Sequence, residues 1–408
     1  MRLPSASVTL APSLPQIESA VESVHPLLIS LSHAIHANPE LGFDEVGAVS
    51  RIADVLAAHG IESSRAVFGL DTSLVARFDG AAGPGPTIAI LAEYDALPVL
   101  GHACGHNVIA ATAVGAFLAL RKVADELAGT IVLLGTPAEE NGNGKEHMAR
   151  AGAFDDVDAA LMIHPHAGPD VAAMPVLGLT EVAVSFRGRA AHASASPDEG
   201  LNALDAVVAA YQGIAALRQH LRPGERIHGI ITDGGHSPNI VPEHAAARFY
   251  LRSPSEPGLT ALIGRAQAVF DGAALLTGTV ATAEWDDAPS LPLRSNDPLA
   301  TRFMTHLSGR ERGAASFGAA LDTGAGSTDM GNVSIRIPSI HPMVSIGPTG
   351  TALHTAEFAE LAVSRTADDT IADAAIALAQ TAADYLLNHE FQQAVAAAFD
   401  AAETVARS

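Results

Sequence analysis

Apolar residues recur along this chain with two periods, and their alternation predicts the architecture. Gln16–Ala37 and Val46–His59 carry apolar positions at helical spacing, the second run ending at Gly60. Ser73–Phe78, Thr87–Leu91, Gly129–Gly135 and Ala159–His164 are short apolar runs that predict strands. Val108–Leu120 is longer and apolar throughout, bounded by His106-Asn107 and Arg121-Lys122. It falls short of the roughly 20 residues that cross a bilayer, so it predicts a buried helix. Interleaved strands and helices of this kind predict an α/β unit, with ligand chemistry gathered at the carboxyl ends of its strands.

The texture changes near Glu181. Strand Val182–Arg187, helix Leu201–Leu221, strands Ile227–Asp233 and Ala246–Arg252, helix Leu259–Leu275 and strand Thr277–Trp285 follow in β-α-β-β-α-β order. That order predicts a four-stranded antiparallel sheet with two helices, inserted as an α+β module over residues 181–293. Pro289–Pro298, with Pro292 between them, reads as the return linker, and the alanine-rich C-terminal region favours helix. Residues 1–180 and 294–408 then form one discontinuous domain.

Composition narrows the function classes. A chain of 408 residues exceeds the usual size of one hydrophobic core, which also favours two domains. With 48% hydrophobic and 17% charged residues it reads as globular. Its 23 Lys+Arg against 45 Asp+Glu leave no basic face for phosphates, so no nucleic-acid partner is expected. One cysteine excludes an internal disulfide, and Met1–Pro15 lacks the continuous apolar core of a signal peptide. A cytoplasmic protein without a membrane partner is the expectation.

That cysteine lies in Gly101-His102-Ala103-Cys104-Gly105-His106. A thiolate and an imidazole two positions apart can reach one cation. Alone, Cys104 would more simply be a small buried apolar group. Downstream, however, Glu139-Glu140 follows a strand, His164 follows another, and His354 stands in Leu353-His354-Thr355-Ala356-Glu357-Phe358. Singly, Glu140 reads as a solvated acid, His164 as a loop histidine and His354 as a surface residue; jointly, Cys, His, Glu and His at strand ends point to a metal centre. Two rivals stay open: Cys104 as the nucleophile of a metal-independent thiol hydrolase, and a noncatalytic binding protein.

Five segments add a resemblance: Asp95-Ala96-Leu97-Pro98, His102–Asn107, Pro137-Ala138-Glu139-Glu140, Gly188–Ala193 and Ser327–Asn332. In this order they resemble the dinuclear-metal amidohydrolase family of aminoacylase, carboxypeptidase G and the auxin-conjugate hydrolases, closest to its aminobenzoyl-glutamate hydrolase and dipeptidase branch. The resemblance implies a catalytic α/β/α domain with a mixed, mostly parallel sheet, and an inserted lid through which a homodimer forms. It implies two divalent ions, zinc first with manganese or cobalt as alternatives. Cys104 would bridge them, with His106 and His164 completing one ion and Glu140 and His354 the other. Glu139 would be the general base, facing away from Glu140 if the segment is extended, and Asp95 would orient the ligands from behind. His192 would stabilise the developing oxyanion from a neighbouring subunit, and Asn239, Arg252 and Ser327 would hold the substrate. The implied substrate is an N-acyl amino acid or a dipeptide. Two departures stand out: Glu93 where aminoacylase-like members carry a ligand histidine, and Asn107 where auxin-conjugate hydrolases carry Asp.

Overall fold

Every residue from His106 to Leu120 is buried, which is why this stretch is apolar on all faces. In the computed structural model, which describes residues 14–310 and 326–407, it forms the helix His106–Lys122. The Met1–Pro15 segment therefore lies almost wholly outside the described residues. The helix packs on strand Thr87–Ala92 and against the helices Leu14–His36 and Arg365–Leu387. Its start is set by Gly105, whose φ of 80° suits glycine and whose absent Cβ would stand 2.6 Å from Pro165 Cγ.

The main sheet has six strands in the spatial order Ser63–Arg65, Leu74–Asp79, Thr130–Gly135, Thr87–Ala92, Ala159–Leu161 and Ser339–Ile340. The first two pairings are antiparallel and the remaining three parallel. One expectation needs correcting here. Ala159–His164 is not a single strand: Ala159–Leu161 pairs in the main sheet, and His164–Ala167 pairs with Met343–Gly347 in a separate two-stranded ladder. The partner segment carries Pro342, which has no N–H to donate, and the ladder resumes on its far side.

Chain contacts divide the described residues into two units, one from residues 14–174, 294–310 and 332–405 and the other chiefly from 175–293 with 326–331. In the second, the strand order is Val280–Trp285, Gly178–Arg187, His244–Ser253 and Arg226–Asp233, antiparallel throughout. Helices Ala203–Arg218 and Glu256–Thr277 pack on this sheet around Val182, Phe186, Phe249 and Phe270. Thr277 belongs to that helix and not to the following strand, because Gly278 in the left-handed region ends it. The helix Glu256–Thr277 is long and apolar enough to cross a bilayer, yet its Leu259, Leu262, Ala266 and Phe270 are core residues of this unit.

Asn107 shows how tightly the central helix is tied down. Its fully buried amide donates to Ser32 Oγ at 2.8 Å and to the Ala362 carbonyl at 2.9 Å. An aspartate cannot donate either bond when ionised and would face a carbonyl with a buried charge. Asn107→Asp is expected to lower stability by about 3 kcal/mol or more in urea unfolding. An unchanged midpoint would mean that these two bonds carry no weight.

Candidate metal centre

Two donor triads share one sulfur. Cys104 Sγ groups with His106 and His164, and again with Glu140 and His354, the ligand atoms of each triad lying within 4.8 Å of one another. The local structure places each donor. His106 opens the central helix, His164 begins its short strand, and Glu140 sits in the turn Glu139–Gly142. His354 is held against the cysteine loop by its N–H to the Ala103 carbonyl at 2.9 Å. Cys104 Sγ is 3.4 Å from His164 Nε2, and His354 Nε2 is 3.4 Å from Glu140 Oε2. Two donors at zinc distances in a tetrahedron stand roughly 3.3–3.6 Å apart, so these spacings suit a shared ion.

The hydrogen bonds aim the right atoms inward. Asp95 Oδ1 lies 2.8 Å from His106 Nδ1, and its Oδ2 accepts the Glu140 N–H at 2.9 Å. With Nδ1 carrying the proton to Asp95, His106 would present a lone pair on Nε2 to a bound cation. That nitrogen lies 3.4 Å from Glu93 Oε2, 3.8 Å from Glu139 Oε2 and 3.9 Å from Glu140 Oε1. Glu93 Oε2, Glu140 Oε1 and His106 Nε2 are buried and, among the described residues, have no hydrogen-bond partner. The carboxylate oxygens crowded here favour positive charge among them, which a protonated His106 supplies without an ion and a bound cation would supply in its place. The donor set therefore fits divalent ions.

Without a cation, burial, then Glu140, push the Cys104 thiol well above its ordinary range. A cysteine nucleophile needs the opposite shift, so the geometry disfavours the thiol-hydrolase rival. Burial would lower His106, but the Asp95 and Glu93 carboxylates outweigh it and hold this histidine well above its usual value. Burial, with His341 and His106, keeps His164 neutral.

Glu139 and Glu140 do not lie in an extended segment. Ala138 adopts φ 58°, and the two glutamates begin a helical turn. Both carboxylates consequently approach His106 from one side instead of facing opposite ways. Glu140 is set apart by joining the triad with Cys104 and His354, whereas Glu139 groups with His106 and Glu140 only. His354 itself has φ 62°, a left-handed conformation that is uncommon outside glycine and recurs at functional sites.

Sequence reasoning missed a buried ion pair beneath these donors. Lys145 Nζ lies 2.5 Å from Glu93 Oε1, with both side chains fully buried. Burial would raise the Glu93 carboxyl, but Lys145 and the surrounding His106, His164 and His341 hold it at about 2. In sequence Lys145 closes a polar glycine-rich stretch and looks like a loop charge; only the i, i+2 relation of Glu93 to Asp95 hints that they share a side. His341 was also missed. Its ring lies 5.3 Å from that of His164, and burial drives it down to about 4.

The remaining expected site residues belong to the second unit. His192 and Asn239 sit on adjoining loops: His192 bridges Ile240, and Ala193 N–H reaches the Asn239 carbonyl at 3.0 Å. His192 Nδ1 accepts the Ala195 N–H at 3.2 Å, so in the neutral ring Nε2 carries the proton. Arg252 donates to Ser327 Oγ at 2.7 Å, and among the described residues no carboxylate pairs with its guanidinium.

Comparison with known proteins follows the same lines. A sequence profile described as peptidase family M20/M25/M40 matches residues 89–384. The chain is 40% identical over 370 residues to the Xaa-Arg dipeptidase of Mus musculus, covering 88% of this chain and 85% of that one. It is 36% identical over 383 residues to the Xaa-Arg dipeptidase of Homo sapiens, over 90% of this chain and 87% of the other. With one component of the p-aminobenzoyl-glutamate hydrolase of Escherichia coli it shares 33% identity, over 71% of this chain and 64% of that one. A dinuclear metal binding peptidase from Bacillus subtilis shares the fold with a TM-score of 0.68 at 21% identity, over 89% of this chain and 99% of that one.

Proposed function

The chain belongs to peptidase family M20/M25/M40, and from that premise we propose a catalytic centre in which Glu139 serves two divalent ions bridged by Cys104. The protein is a metal-dependent amidohydrolase acting on amides between an acyl or aminoacyl group and a free amino acid. The observation that carries the proposed centre is the sharing of Cys104 by two triads with Glu139 beside them. Thiolate, imidazole and carboxylate together suit zinc, with manganese or cobalt as alternatives.

When bound, such ions supply Lewis acidity and lower the pKa of water from 15.7 to about 7. Glu139 takes the proton of the attacking water and returns it to the leaving amine. Asp95 keeps His106 and the Glu140 backbone in register through its two bonds. We assign charge stabilisation at the carbonyl oxygen to His192, whose Nε2 is the proton-bearing nitrogen, and the substrate carboxylate to Arg252 with Asn239 and Ser327. Arg252 suits this role because its planar fork donates in pairs and, among the described residues, it has no acidic partner.

We further propose a homodimer formed through the second unit. Its strand Arg226–Asp233 is an edge strand, with Ile230 64% and Ile231 41% exposed. A cytoplasmic location is the third part of the proposal, supported by a lone thiol that a reducing compartment would keep free.

The test is a panel of dipeptides and N-acyl amino acids assayed with and without chelator. Turnover is expected to vanish on chelation, to return with added zinc, manganese or cobalt, and to favour substrates with a free carboxylate on the leaving amino acid. Activity indifferent to chelators but abolished by iodoacetamide would establish the thiol mechanism instead.

A further inference from the structure

We propose that the buried pair Glu93–Lys145 is a positioning device for the metal centre, Lys145 holding Glu93 so that its second oxygen stays against His106 Nε2 and strengthens cation binding by the Cys104–His106–His164 triad. The inference rests on the metal-centre reading above. Glu93 and Asp95 leave strand Thr87–Ala92 two residues apart and flank one imidazole. Asp95 lies 2.8 Å from its Nδ1, and Glu93 Oε2 lies 3.4 Å from its Nε2. The two oxygens of Glu93 have different fates. Oε1 is engaged by Lys145 at 2.5 Å, whereas Oε2 is buried and, among the described residues, has no hydrogen-bond partner.

Stability alone does not account for this arrangement. A fully buried lysine–glutamate pair is typically no more stable than an apolar pair of similar volume, because both charges lose their hydration. Its persistence beside a donor set points to electrostatics. A carboxylate in a low-dielectric interior attracts a nearby cation far more strongly than one in water. Glu93 is not grouped with the triad ligands, so it acts on the ion through the local field beside His106 Nε2. Lys145 fixes its orientation and offsets part of the negative charge that Asp95, Cys104, Glu139 and Glu140 would otherwise accumulate.

The experiment measures affinity of the metal-free full-length protein for zinc by competition with a chromophoric chelator. Cobalt, with its thiolate charge-transfer absorption, reports separately whether Cys104 is engaged. In E93Q/K145M, which removes both charges while keeping volume, urea stability of the metal-free protein is expected to hold, cobalt is expected still to reach Cys104, and affinity to fall ten- to hundredfold. E93D provides a second route if the double variant does not fold. It keeps the charge for Lys145 but withdraws the carboxylate by one methylene, and a loss of affinity is expected there as well. Wild-type affinity in either folded variant would make the pair purely structural and overturn the inference. A wild-type protein that binds no metal would overturn the metal-centre reading together with it.

Discussion

Replacing Glu139 with glutamine is expected to reduce turnover by about a thousandfold or more while leaving metal content at its wild-type level. Glutamine has the same shape and keeps an oxygen near His106, but it cannot accept the water proton or hand one to the departing amine. The side chain is only 9% exposed and stands 3.8 Å from His106 Nε2, so its substitution is a local electronic change. The expectation discriminates because Glu139 and Glu140 are almost equally near that nitrogen. A base can be removed with the ions in place, whereas a ligand cannot. If Glu139→Gln lost metal in step with activity, Glu139 would be a ligand and the base would have to be sought elsewhere. Metal analysis and single-turnover assays on one preparation decide between the two.

Changing Cys104 to serine should do the reverse. It alters one atom of a side chain that is 6% exposed and packed among core residues, so the fold is expected to survive. Yet that atom belongs to both triads, and a hydroxyl does not ionise near neutral pH as a thiol does under a cation. Bound metal is expected to fall from two ions per chain to fewer than one, and activity with it. Full occupancy measured by elemental analysis would rule out a bridging sulfur. The two variants together separate holding the ions from using them.

Much of the centre is readable in the sequence because its donors follow apolar runs that can only be strands or a buried helix. The stretch after His106 announces its burial by having no polar face, and the motif around Cys104 inherits that rigidity. What could not be read depends on backbone detail. The left-handed Ala138 turns Glu139 and Glu140 to one side, and alternation along an extended chain gives no warning of it. Lys145 reads as a loop charge because a partner that holds it in the interior, Glu93, is distant in sequence. The break between Leu161 and His164 likewise depends on Pro342 in the neighbouring segment. Local pattern reports which face is dry; it does not report what a distant segment lays against that face.

The donor set spans Cys104 to His354, a separation of 250 positions (354 minus 104), with an entire second unit encoded between them. A ribosome that has delivered Cys104, His106 and Glu140 has still to make the strand that pairs beside His164 and the loop that brings His354 to the Ala103 carbonyl. Until then the nascent polypeptide has only part of the proposed donor set. If His354 is a ligand as proposed, activation is reserved for completed molecules, and a fragment released early by stalled translation would lack His354 and carry no working hydrolase into the cell.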